Sequence, residues 1–168
     1  MATPSYATST ELDAVNSILM SVGETPVNTL DVQSPEVAIA QSTLRQVCRE
    51  IQSEGWGYNT EYEFGFVLNN DNRYKHGDNY DVVRRDGKLY DRYSHGYKFT
   101  GLDTLFVDVV WFFEFEDIPQ AFRDYITAKA SRIASGRMVS DETSIKILQA
   151  DESLLRALAV EFDTSQAD

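Results

Sequence analysis

The apolar residues of this chain change their period at Gly55, and that change limits what it can fold into. Before it, Val37, Ala40, Leu44, Val47 and Ile51 recur at alternating spacings of three and four, one stripe of an amphipathic helix. After it, Tyr62, Phe64, Phe66 and Leu68 alternate with Glu61, Glu63, Gly65 and Val67, the period of a strand with one aromatic face. The joint runs from Ile51 to Asn59. It closes the helix, stops it at glycine and sets Trp56 beside the break. Trp56 is expected to anchor the β-rich part on the helical part, and Trp56→Ala to cost several kcal/mol if its ring is fully buried.

The remaining elements follow from start and stop signals. A first helix is expected from Thr10, with Asp13 completing a capping box, Leu12, Val15, Leu19 and Val22 on one face, and Gly23 as the stop. A connector with Pro26 leads to Ser34, Pro35 and Glu36, which start the second helix. Beyond the first strand, Asn69 to Asn72 is turn chemistry and the polar stretch to Asn79 is a loop. Asp86-Gly87, between Asp81–Arg84 and Lys88–Tyr93, predicts a two-residue hairpin. Tyr97–Thr100 and Thr104–Phe115 are further strand candidates, separated by Gly101. Helix returns at Pro119, with Phe122, Ile126, Ala130 and Ile133 inward and Gly136 as the stop. Ser140 is expected to cap a last helix striped by Ile145, Leu148, Leu155, Ala159 and Phe162, with frayed residues from Thr164.

Two helices, a β-rich insertion and two helices predict an α+β fold: an antiparallel bundle of about four helices with an antiparallel excursion between the second and third. At 168 residues the chain is expected to be one domain, with the bundle in 10–57 and 117–163 and the insertion in 58–116. Cys48 is the only cysteine, so no internal disulfide is possible, and its helical neighbours mark it as a buried structural thiol. No apolar run reaches the ~20 residues of a membrane helix. The start of the chain has neither a basic region nor an apolar core, so no signal peptide is expected. The net charge of −12, with 27 acidic against 15 basic residues, argues against gripping nucleic acid through its phosphates. It suits a wall past which nucleic acid must slide.

Candidate chemistry is sparse. His76 and His95 fall in predicted loops without a second ligand at metal spacing. Gly55-Trp56-Gly57 lacks the third glycine of a dinucleotide fingerprint and follows a helix instead of a strand. Asp71, Asp78, Asn79 and Asp81 offer hard oxygens around Gly77, but without EF-hand spacing and among Arg73, Lys75 and His76. Glu61 with Glu63, or Glu114 with Glu116, has the residue types of a glycosidase pair, but alternation puts each pair on a solvated face opposite the aromatic side chains. No catalytic residue, metal or cofactor is expected. Tyr90, Tyr93 and Tyr97 with Arg84, Arg85 and Arg92 form a cluster of types enriched at protein interfaces. Docking of a partner and plain sheet packing both account for it.

Several segments resemble one family in order. They are Glu11-Leu12-Asp13-Ala14-Val15-Asn16, Ile18-Leu19, Gly23-Glu24-Thr25-Pro26-Val27 and Ile51-Gln52-Ser53 with Gly55-Trp56 and Asn59. Leu89-Tyr90-Asp91-Arg92, Ile118-Pro119, Phe122-Arg123 and Thr127 to Arg132 follow. Together they are similar to the podovirus tail tubular protein A family, the head-to-tail adaptors of T7-like phages. The similarity spans about Thr10 to Arg137, and the stretch Glu61 to Asp81 matches poorly. The resemblance implies a virion tail protein, made in the host cytoplasm. It further implies a ring of twelve copies between the portal and the tail nozzle (tubular protein B), a lumen that passes DNA without specific binding, and a lateral surface for tail fibres. Leu154, Leu155, Leu158 and Phe162 on the last helix are the expected assembly interface. The alternatives are a head-completion connector of another tailed-phage lineage, a carbohydrate-active tail enzyme using a carboxylate pair, or a monomeric binding module.

Overall fold

The computed structural model describes residues 8–31, 34–67, 84–85, 88–89, 104–139 and 141–166. The chain divides into two compact units, Met1–Ile51 with Phe113–Asp168, and Gln52–Phe112. Four helices and short antiparallel strands between the second and third give the expected α+β class.

In the helical unit, α1 (Glu11–Ser21) begins with a complete capping box. The Asp13 N–H donates to Thr10 Oγ1 at 3.2 Å, and the Thr10 N–H donates to Asp13 Oδ2 at 2.9 Å. Donation from the Thr10 N–H and from its hydroxyl to the Asp13 carboxylate holds that carboxyl below its ordinary value. The helix ends in a Schellman motif. Glu24 N–H reaches the Leu19 carbonyl, Gly23 N–H reaches that of Met20, and Gly23 takes φ +82°. Its buried face is Ala14, Val15, Ile18 and Leu19, so the core stripe sits between the expected Leu12 and Val22, both half-buried.

Helix α2 (Pro35–Gln52) starts as predicted, with Ser34 Oγ accepting from Val37 N–H at 3.4 Å. Its five stripe residues are at most 1 % exposed, and Cys48 is a buried free thiol. Polar contacts join α2 to the helix Gln120–Met138. Arg137 donates to Thr43 Oγ1 and Gln46 Oε1, both at 3.2 Å, and Lys129 pairs with Glu50 at 2.9 Å.

Helix α3 (Gln120–Met138) packs against both α1 and α4 (Glu142–Gln166). It buries Phe122, Tyr125, Ile126, Ala130 and Ala134, while Ile133 is only half-buried. Gly136 does not stop it: the glycine is exposed, a Cβ there would meet nothing within 4 Å, and the helix runs on to Met138. The cap of α4 also differs from expectation. Asp141 Oδ2 accepts from Ser144 N–H at 2.8 Å and the Asp141 carbonyl accepts from Ile145 N–H, so the cap is Asp141; Ser140 lies outside the described residues. Helix α4 also continues to Gln166, past the fraying point expected at Thr164.

In the second unit, β1 (Thr60–Val67) pairs antiparallel with β4 (Thr104–Val110), and β2 (Arg84–Arg85) with β3 (Lys88–Leu89). The last strand stops at Val110, because Phe115–Asp117 forms a 3₁₀ turn where strand was expected. Alternation in β1 is broken by a bulge. Glu61 pairs with Val109 and Phe64 with Val107, so Tyr62 and Glu63 together face Asp108. Glu63 takes φ +53°, and its N–H donates to Asp108 Oδ1 at 3.0 Å. The one-residue slip puts Glu61 on the face of Phe64 and Trp111, and leaves Tyr62 73 % exposed. Glu61 and Glu63 are both exposed, as expected, but the bulge keeps them from sharing one face.

Candidate assembly surfaces

Helix α4 splits the expected interface quartet in two. Phe162 turns inward and meets Phe122 edge to face, with ring centroids 6.3 Å apart, and Leu155 is half-buried. Leu154 is 61 % and Leu158 47 % exposed, and Ile147, one heptad before Leu154, is 60 % exposed. Spacings of seven and four put these three on one face of α4, an uncovered apolar stripe. Arg132 on α3 and Glu152 on α4 hold the opposite side, through a hydrogen bond to Glu152 Oε2 and a second to Oε1 at 3.4 Å. The Glu152 carboxylate holds the Arg132 guanidinium above its ordinary value, and partial burial opposes that shift.

Beside this stripe, α1, α3 and α4 enclose an open groove of about 500 Å³. Ala14, Ala128, Leu148, Leu154 and Leu155 supply its apolar lining. Its only charged lining residues are Asp13, Asp124 and Asp151. Asp13 is engaged by Thr10, and Asp124 accepts from Gln120 Nε2 at 2.6 Å. Asp151 is exposed, and its side chain makes no hydrogen bond or ion pair among the described residues. The spacing of the α4 pattern pointed to Leu154 and Leu155, but no sequence signal brought the three aspartates together, because they lie on three helices.

The candidate docking hairpin is described only at its strands. Arg84 faces Leu89 and Arg85 faces Lys88, a register that leaves positions 86–87 as the connection. Tyr90, Arg92, Tyr93 and Tyr97 lie outside the described residues, as do His76, His95, Asp71, Asp78, Asn79 and Asp81. Trp56 is half-buried. Its N–H donates to Asn59 Oδ1 at 2.8 Å, and the side chain of Asn59 is the polar centre of this region. Asn59 Nδ2 donates to the carbonyls of Gln52 and Trp111, both at 2.9 Å, while Trp111 N–H donates to the Asn59 carbonyl at 2.7 Å. Asn59 is fully buried, so each of these bonds replaces water that cannot reach the site. Gly55 nearby takes φ +75°, and a Cβ there would meet Thr60 Oγ1 at 3.3 Å and Val110 Cγ2 at 3.5 Å. The glycine therefore serves backbone geometry and close packing.

The carboxylates singled out as catalytic pairs have other partners. Glu61 Oε2 accepts from Trp111 Nε1–H at 3.1 Å. Glu116 Oε1 accepts from the Glu11 N–H at 2.9 Å, neutralising the start of α1. Glu114 is exposed at the start of the 3₁₀ turn. Arg123, for which no role was expected, is buried on α3, and its Nη1 donates to the Ser9 carbonyl at 2.8 Å, which fixes the approach to α1. Among the described residues no helix is long and apolar enough to cross a membrane.

An α+β subunit whose longest helix keeps apolar side chains uncovered has the form of an assembly part. The family model described as tail tubular protein matches residues 12–168, and the chain belongs to that family. It is a structural component of the phage tail. No curated protein matches the chain.

Proposed function

We propose that this protein is a head-to-tail adaptor. Copies form a ring of twelve between the portal and the tubular nozzle, DNA leaves the head through its centre, and tail fibres meet its outer side. The observation that carries this reading is the family match over residues 12–168. The uncovered stripe Ile147, Leu154 and Leu158 gives each copy apolar area to bury against a neighbour or the portal. A net charge of −12 per copy keeps phosphates from adsorbing to a lumen lined by carboxylates. The whole chain acts as one adaptor domain, with the helices as its body and residues 58–116 as its docking part.

Electron microscopy of the full chain mixed with its cognate portal tests the reading. A twelve-fold ring stacked on the portal is the expected result. A different stoichiometry, or no portal binding, would overturn it. Binding of the tubular nozzle to that stacked ring separates this reading from a head-completion connector of another tailed-phage lineage.

A further inference from the structure

Identical copies carrying −12 each repel one another, so a ring of them needs local complementarity to overcome that repulsion. Within one copy, the acidic side of such a match is the groove between α1, α3 and α4. Asp13, Asp124 and Asp151 are its only charged lining residues, and Ala14, Leu148 and Leu155 give it apolar surface. The basic side is legible in the sequence. Residues 73–98 carry seven Lys and Arg against four Asp, a local charge of +3 in an otherwise acidic chain. The same stretch holds five tyrosines and Leu89, so it brings apolar and aromatic area with its charge. Strands β2 and β3 are its described part, and they pair antiparallel.

We infer that the groove of one copy receives the basic stretch, residues 73–98, of a second copy. The inference rests on the ring reading above and names the contact that closes the ring. The two surfaces are different patches of the same chain. Such a heterologous contact propagates head to tail and gives a ring when its rotation closes, whereas a patch that paired with itself would stop at a dimer. Asp151 is the position best placed to meet an incoming guanidinium, since it is exposed and has no competing partner among the described residues.

Charge reversal with rescue tests the contact. Asp151→Arg in the groove and Arg85→Glu in the hairpin are made singly and together in the full chain. Ring formation on portal is followed by electron microscopy and native mass spectrometry, and circular dichroism checks that each variant folds. Each single reversal is expected to raise the concentration for half-assembly about tenfold or more, because like charges then face each other. The double reversal is expected to recover most of that loss. If single reversals leave assembly unchanged while wild-type rings form, the groove contact is wrong and the ring reading stands. If singles impair assembly but the double gives no recovery, the two residues meet other partners and the inference is overturned. If the wild-type chain forms no ring, both readings fall.

Discussion

Helices α2 and α4 carry apolar stripes of the same period and meet opposite fates. In α2 the whole stripe is enclosed, from Val37 to Ile51. In α4, longer by seven residues, only Ala159 is fully buried, while Leu154 and Leu158 face outward. Periodicity states that a helix has an apolar side, not how much of that side its own chain covers. On the proposed reading, the uncovered remainder on α4 is where assembly acts, so α2 would serve the stability of the subunit and α4 that of the tail.

The same truncation on the two helices gives the largest test of this contrast. Leu44→Ala on α2 opens a cavity in the core and is expected to cost about 2–5 kcal/mol of unfolding free energy. Chemical denaturation of the isolated subunit measures it. A cost below about 1 kcal/mol would mean that the α2 stripe relaxes into the space and that the contrast with α4 is false.

The inner side of α4 is held by charge as well as by packing, which sharpens the comparison. Glu152→Gln leaves the half-buried Arg132 without its carboxylate and is expected to cost about 1–3 kcal/mol. An unchanged denaturation midpoint would show that packing of Phe162 on Phe122 alone holds α4 in place.

How much of this was legible before the structure depends on whether a rule is local. Caps and stripes are local, so the Thr10–Asp13 box, Ser34 and the five residues of α2 could be read directly. The bulge at Tyr62 and Glu63 could not be, because it is fixed by Asp108, 45 residues away, which accepts the freed N–H of Glu63. Glycine disfavours helix by about 1 kcal/mol, but at Gly136 that cost does not end α3, which continues to Met138 after burying Ala134 and Ser135. The groove is a product of three helices, and Asn59 is a product of a helix end and a distant strand. Neither has a signature at any single spacing.

The helix starts also predict an acid response that α2 and α4 share. Hydrogen bonding from Ser34 lowers the Glu36 carboxyl, and bonding from Ser144 lowers that of Asp141. A carboxyl depressed in the folded state favours folding above its unfolded value, near 4, and loses that contribution as pH falls through the folded value. Stability is therefore expected to drop below about pH 4. Asp141→Asn keeps the cap but does not titrate, so its drop between pH 5 and pH 3 should be smaller than that of the wild type. Equal drops in the two proteins would remove Asp141 from the acid response.

The smallest effect on the subunit is expected at a position that the proposed reading assigns to the assembly. Leu158 is 47 % exposed on the uncovered side of α4, so Leu158→Asp is expected to shift subunit stability by about 0.5 kcal/mol or less. The same carboxylate placed in a buried interface loses its water without gaining a partner, a penalty of several kcal/mol per copy that a ring repeats at every contact. Incorporation onto portal rings should therefore fail in a variant whose circular dichroism and denaturation midpoint match the wild type. Normal incorporation of Leu158→Asp would show that the outer stripe of α4 stays in solvent after assembly. The exposure of α4 would then be no sign of function, and its contrast with α2 would reduce to a difference in packing.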